Sequence, residues 1–236
     1  MTASFPKAQV VVYPGSNCDR DALWALRYVG FDAEFVDIRS HIGSDVNLLV
    51  LPGGFSYGDY LRVGAVAARE PISSEIRDFM SRGGLIIGIC NGFQILIEMG
   101  ILPGALLQNS TGKFICKIVD LEVVDNETPF TRYFERGERI HLPIAHGFGR
   151  YVKTNGLVNS QDNVVFRYAQ DVNGSDELIA GISNENKNVL GLMPHPERAI
   201  EKLIGSDDGL RVFLSAFNYI KTSSENMLEK TKVGVA

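Results

Sequence analysis

Cys90 stands at the centre of Gly88-Ile89-Cys90-Asn91-Gly92-Phe93-Gln94, directly after the apolar run Leu85-Ile86-Ile87. A thiol placed between two glycines, where a buried strand turns into a helix, is a nucleophile elbow with sulfur in place of oxygen. The glycines let the turn close where a side chain would clash with the neighbouring strand or helix. The helix that follows aims its N-terminal dipole and free N–H groups at the sulfur, which favours a thiolate. A proton partner is offered far downstream in Gly191-Leu192-Met193-Pro194-His195-Pro196-Glu197-Arg198, where two prolines fix the backbone on both sides of His195. Glu197 can accept a hydrogen bond from the second ring nitrogen, fixing the tautomer and supporting the imidazolium. A third segment, Leu51-Pro52-Gly53-Gly54-Phe55-Ser56-Tyr57-Gly58-Asp59-Tyr60, follows the apolar strand Leu48 to Leu51. Its consecutive glycines bring backbone N–H groups close to a ligand, so the N–H groups of Gly54 and Asn91 are the expected oxyanion hole. The chemistry expected of Cys90, His195 and Glu197 is acyl transfer through a thioester.

These segments resemble the class I (triad) glutamine amidotransferases. Four more narrow the resemblance: Tyr13 to Asp21, Pro52 to Arg62, Pro143-Ile144-Ala145-His146-Gly147 and Asp171-Val172-Asn173-Gly174-Ser175 are similar to glutaminase subunits of phosphoribosylformylglycinamidine synthases, from about residue 9 to about residue 221. The resemblance implies hydrolysis of glutamine to glutamate and ammonia, with the ammonia passed to a synthetase subunit that aminates formylglycinamide ribonucleotide in purine biosynthesis. It also implies a flavodoxin-like fold of the amidotransferase type, ATP and magnesium on the synthetase partner with no cofactor in this chain, and room for a small third subunit. Gln94 matches a substrate-contacting position of the wider class, and Gly147 and Phe148 are expected to line the same pocket. Many relatives carry His-Gly-Glu-Gly where this chain has His146-Gly147-Phe148-Gly149, so an apolar ring replaces an acidic contact. A stand-alone cysteine hydrolase and a non-catalytic binding subunit remain as other readings.

The rest of the chain bounds these expectations. Its 236 residues, 45% of them hydrophobic, suit one domain over residues 1–221 with a loose tail over 222–236. The net charge of −5 and scattered basic residues argue against sequence-independent nucleic-acid binding. No Walker-type loop occurs. The start lacks the apolar region of a signal peptide and no run reaches the length of a membrane span, so a soluble cytoplasmic chain is expected. Cys18, Cys90 and Cys116 are odd in number with no CxxC pair, and His141 and His146 lack a ligand partner at useful spacing; no metal site is expected. Cys18 itself reads as inert, in a turn before a helix. Phe55, Tyr57 and Tyr60 are expected to form an aromatic rim that meets a partner protein.

The elements that must position these residues alternate. Strands are expected at Val10 to Tyr13, Ala33 to Val36, Leu48 to Leu51 and Leu85 to Ile89, and helices at Asp19 to Val29, Pro71 to Arg82 and Gly92 to Met99. That order implies an α/β fold with a mainly parallel sheet flanked by helices. In the first helix Leu23, Leu26 and Arg27, beside Trp24, Tyr28 and Val29, are expected to form the face that covers the sheet. From Lys113 to Met193 the pattern shifts to β-rich stretches, read as Phe114 to Val124, Ile140 to Ala145, Val164 to Tyr168, Leu178 to Ser183 and Val189 to Met193. They extend the sheet before a last helix from Gly209 to Lys221.

Overall fold

The computed structural model of the chain describes residues 5–59, 62–154 and 163–233. The chain begins with strand Lys7–Val12 (β1), helix Asp19–Val29 (α1), strand Asp32–Asp37 (β2) and strand Leu48–Leu51 (β3). Helix Ile72–Ser81 (α2), strand Leu85–Ile89 (β4) and helix Asn91–Glu98 (α3) complete the alternating part. The strands Ala105–Leu107 (β5), Ile115–Val123 (β6), Arg139–His146 (β7), Arg150–Val152 (β8), Val164–Tyr168 (β9), Ile179–Ser183 (β10) and Val189–Leu192 (β11) come next, before helix Leu210–Val233 (α4).

Nine strands form one sheet in the order β2-β1-β3-β4-β11-β10-β9-β6-β7. Pairing is parallel from β2 to β11 and antiparallel from β11 to β7. The sequence patterns account for the division. Every residue of β3, β4 and β11 is buried, as befits central strands covered on both faces. In β7 the buried Ile140, Leu142, Ile144 and His146 alternate with more exposed residues, the pattern of a strand covered on one face. α1 packs on β1, β2 and α4, while α3 packs on β3, β4 and β11. The carboxyl ends of the three adjacent strands β3, β4 and β11 lead directly to Gly53-Gly54, Cys90 and His195, the edge where open parallel sheets gather ligands.

Two expectations change, and one pairing had none. The α1 face that reaches the core carries Ala22, Ala25 and Leu26, whereas Trp24 and Tyr28 lie exposed with ring centroids 5.2 Å apart. Small residues let the helix approach the sheet; the large rings find each other on the outer side instead. The two-stranded pairing of β5 with β8 was not legible in runs of three residues. The last helix does not stop at Lys221 but continues to Val233. No proline or glycine interrupts that stretch, and the Ser223 and Ser224 hydroxyls donate to the Tyr219 and Ile220 carbonyls at 2.8 and 3.0 Å. The side chains that would favour a loose tail are thereby absorbed into the helix.

Candidate active site

Cys90 occupies the junction of β4 and α3 with φ +49° and ψ −101°, a conformation that a side chain other than glycine adopts only under constraint. The constraint comes from both sides. Its N–H donates to the Leu192 carbonyl at 2.8 Å, and the Gln94 N–H donates to the Cys90 carbonyl at 3.1 Å. A Cβ on Gly92 would lie 2.0 Å from the Leu51 carbonyl oxygen, and one on Gly88 would lie 2.4 Å from Leu96 Cδ1. Both glycines are therefore required for the turn, as their spacing implies. Asn91 is the first residue of α3, where a backbone N–H has no partner within its helix.

His195 follows β11, held by its N–H donating to the Pro143 carbonyl at 2.8 Å. Its Nδ1 lies 2.6 Å from Glu197 Oε1, with both residues 2% exposed. Burial alone would push the His195 pKa down, but the Glu197 carboxylate and the Cys90 and Cys18 sulfurs hold it well above the ordinary value. The other side of the ring is open. His195 Nε2 has no hydrogen-bond partner among the described residues, and the Cys90 thiol points to the Ala145 carbonyl at 3.9 Å.

The Gly53-Gly54 turn closes the third side. Gly54 has φ +148°, and a Cβ there would lie 2.8 Å from Ser16 Cα and Asn17 N. Its N–H takes no hydrogen bond among the described residues, which leaves it free as a donor. Gly53 lets the turn approach the imidazole, since a Cβ on it would lie 2.7 Å from His195 Cε1 and 3.1 Å from Cys18 Sγ. Cys18 is thus a neighbour of His195, not an inert residue of a distant turn. Cys18 Sγ, a His195 ring nitrogen and a Glu197 oxygen lie within 4.8 Å of one another, all three residues buried.

Gln94 is drawn into a chain of buried amides. The Ser56 N–H donates to Asn91 Oδ1 at 3.2 Å, Asn91 Nδ2 donates to Gln94 Oε1 at 3.0 Å, and Gln94 Nε2 donates to the Phe148 carbonyl at 2.7 Å. Its side chain is buried and joins α3 to the loops on either side. Gly147 lies beside the Phe114 ring, at 3.8 Å from a Cβ built on it, and Phe148 is 41% exposed. Phe55, also exposed, lies with its ring centroid 6.3 Å from that of Phe114. Tyr57 does not belong to this rim: its hydroxyl donates to Glu70 Oε1, and burial with that carboxylate beside it pushes its pKa up to about 12. Tyr60 lies outside the described residues.

Sequence reading weighed His146 only as a metal ligand, with His141; its place in the site becomes visible through Asn109. Asn109 Nδ2 donates to the Lys113 and His146 carbonyls at 2.8 and 2.9 Å, so Oδ1 is left to accept the Gly149 N–H at 3.1 Å. His146 Nδ1, 3.0 Å from the same oxygen, must then carry the proton. Its Nε2 is a bare acceptor, buried without a partner among the described residues. Burial and the nearby His195 pull the His146 pKa down to about 4. His141 faces the other way and is exposed, with its ring nitrogens 3.4 Å from Asp120 and 3.3 Å from Asp208. The two histidines therefore do not share a site.

Among the described residues no helix is long and apolar enough to cross a membrane. Residues 5–220 match the model of the CobB/CobQ-like glutamine amidotransferase domain. The phosphoribosylformylglycinamidine synthase subunit PurQ of Thermotoga maritima is 65% identical over 216 residues, 92% of this chain and 99% of that one. The subunit of the same description from Koribacter versatilis is 49% identical over 222 residues, 89% of this chain and 96% of the other. Among solved structures, a chain of PurLQS from Thermotoga maritima superposes with a TM-score of 0.88 at 64% identity, covering 92% of this chain and all of that one. A glutamine amidotransferase from Thermotoga maritima shares the fold at 16% identity and a TM-score of 0.59, over 92% of this chain and 98% of that one. With the elbow, the buried histidine–glutamate pair and the glycine turn on adjacent strand ends, and with a family match over nearly its whole length, the chain belongs to the CobB/CobQ-like glutamine amidotransferases.

Proposed function

We propose that this chain is the glutaminase subunit of a phosphoribosylformylglycinamidine synthase, with Cys90 as nucleophile, His195 as proton carrier and Glu197 as its orienting partner. Cys90 Sγ attacks the side-chain amide carbon of glutamine while His195 Nε2 takes the thiol proton. The N–H groups of Gly54 and Asn91 hold the oxyanion that forms. His195 returns its proton to the amide nitrogen, the C–N bond breaks, and ammonia leaves behind a γ-glutamyl thioester on Cys90. Water then attacks the thioester carbon and gives a proton to His195; the C–S bond breaks, glutamate departs and the thiol is restored.

The observation that carries this reading is the buried 2.6 Å contact of His195 with Glu197 on the strand end next to the strained Cys90. A stand-alone hydrolase would use the same groups, but the 65% identity to a synthase subunit over nearly the full length of both chains favours a partnered one. In this reading a synthetase subunit receives the ammonia in the cytoplasm and supplies ATP and magnesium, with a small third subunit in the assembly. The Phe148 ring lies against the aliphatic part of glutamine, and Gly147 lets the substrate approach the strand end. The open Cys90–His195 side closes when substrate and partner are in place, because apo sites often hold their catalytic hydrogen bonds long. The test is glutamate release by the purified chain at saturating glutamine, with and without the synthetase. Release that rises by two to three powers of ten with the partner, about the worth of one restored oxyanion donor, supports the proposal. Equal release in both cases supports a stand-alone hydrolase, and none in either case a binding subunit.

A further inference from the structure

The cluster of Cys18, His195 and Glu197 holds more than a triad requires. Its second thiol comes from the turn after β1, remote in sequence from the other two residues, and no step of the glutaminase reaction uses it. All three residues are buried, and their donor atoms lie within 4.8 Å of one another. Glu197 Oε2 is also buried without a hydrogen-bond partner among the described residues, so the carboxylate has an oxygen to spare. At Gly53 only backbone stands beside the thiol and the imidazole.

We propose that Cys18, His195 and Glu197 form a site for a thiophilic divalent transition-metal ion such as zinc, and that its occupancy switches the glutaminase off. One sulfur, one imidazole nitrogen and one carboxylate oxygen make up a three-ligand zinc set that leaves a fourth position open. At zinc–ligand distances of about 2.0–2.3 Å a tetrahedral ion holds its donors roughly 3.3–3.8 Å apart, so donor atoms that lie within 4.8 Å of one another must draw together by up to about 1 Å as the ion enters. Magnesium and calcium, which take oxygen ligands, do not match a thiolate and an imidazole.

A metal ion takes the sulfur as thiolate and the imidazole as a neutral ligand, so the two positive charges that enter are met by one thiolate and one carboxylate. A His195 that binds an ion no longer carries protons for Cys90. Metal binding stands independently of the proposed function; the switching rests on it.

The binding test uses the full chain and cobalt(II) under anaerobic conditions, in a C90S background so that the other sulfur facing His195 is absent. A thiolate-to-cobalt charge-transfer band that saturates at one ion per chain and is displaced by zinc is expected. The band should survive C116S, which removes the exposed thiol, and disappear with C18S; H195N should weaken binding about tenfold or more. No band in C90S, or a band that persists in C90S with C18S, overturns the site. For the switch, zinc chloride is titrated against glutamate release by the wild-type and C18S chains assembled with the synthetase, each relative to its own metal-free rate. The half-inhibiting zinc concentration should rise about tenfold or more in C18S, and magnesium should not inhibit the wild type over the same range; equal inhibition by the two ions overturns the site. Equal zinc sensitivity of the two chains overturns the switch even where the cobalt band is present. An assembly without glutamate release leaves the cobalt result to stand or fall by itself and counts against the proposed function instead.

Discussion

The parallel and antiparallel halves of the sheet hold the site by different means. On the parallel side, Cys90, Gly54 and His195 each follow a strand end, and their positions are imposed by backbone: φ +49° at Cys90, glycines without room for a Cβ, and N–H groups tied to the Leu192 and Pro143 carbonyls. On the antiparallel side, the turn after β7 is held by side chains. Asn109 fixes His146 and Gly149, and Gln94 fixes Phe148. Backbone restraint survives changes of side chain and pH, so the first half suits reacting atoms that must not move. Side-chain restraint is more easily altered, so in the proposed function the second half sets how glutamine is gripped, and it is expected to set how the fold responds to acid.

Changes in the parallel half should therefore stop the chemistry while leaving stability nearly intact. The largest effect is expected for C90S, which should lower glutamine-dependent turnover on the order of 10⁴-fold or more, because a serine hydroxyl is a far weaker acid and nucleophile than a thiol. Synthesis from external ammonia by the assembled enzyme should continue. Glutamine turnover of C90S within tenfold of wild type would remove the nucleophile from its place.

H195A should come next and E197Q after it, the latter costing on the order of 10²–10⁴-fold in kcat because an amide holds the ring without stabilising the imidazolium. Steady-state rates at saturating glutamine give the order directly; an E197Q enzyme slower than H195A would reverse the roles. Much of this half was legible in the sequence, since glycine spacing around Cys90 and the prolines around His195 are local constraints that strand order cannot change. Cys18 was not, because only the pairing of distant strands brings its turn to His195. The exposed ring pair on α1 escaped for another reason: periodicity marks a face, but the small Ala22 and Ala25 decide which face can approach the sheet.

In the antiparallel half the expected effects are on stability and binding. His146 is neutral in the fold down to about pH 4, whereas in the unfolded chain it protonates near the ordinary 6.5. The unfolded state thus gains the proton first as pH falls, and stability drops between about 6.5 and 4 and is flat above. The full drop from this residue corresponds to about 3 kcal/mol. Urea unfolding of wild type and H146Q at pH 7 and pH 4.5 checks it: the wild type should lose more stability than the variant, and equal losses would place the His146 proton elsewhere. Sequence reading named His146 but could not give its tautomer, which depends on Asn109 in a separate loop.

The smallest effect should come from Q94L, which removes the link between Asn91 and the Phe148 carbonyl. Unpaired buried partners cost about 1–3 kcal/mol, and the looser Phe148 turn should raise KM for glutamine about tenfold with less change in kcat. A loss confined to kcat would place Gln94 among the reacting groups instead.

The central claim is that Cys90, and not the nearby Cys18, attacks glutamine. A glutamine analogue with a chloromethyl ketone in place of the side-chain amide reports this directly, through peptide mapping of the labelled chain by mass spectrometry. The account predicts one label per chain, on the peptide containing Cys90, with glutamate release lost in proportion and ammonia-dependent synthesis by the complex retained. A label on Cys18 or elsewhere that abolishes glutamate release while Cys90 stays free would contradict it.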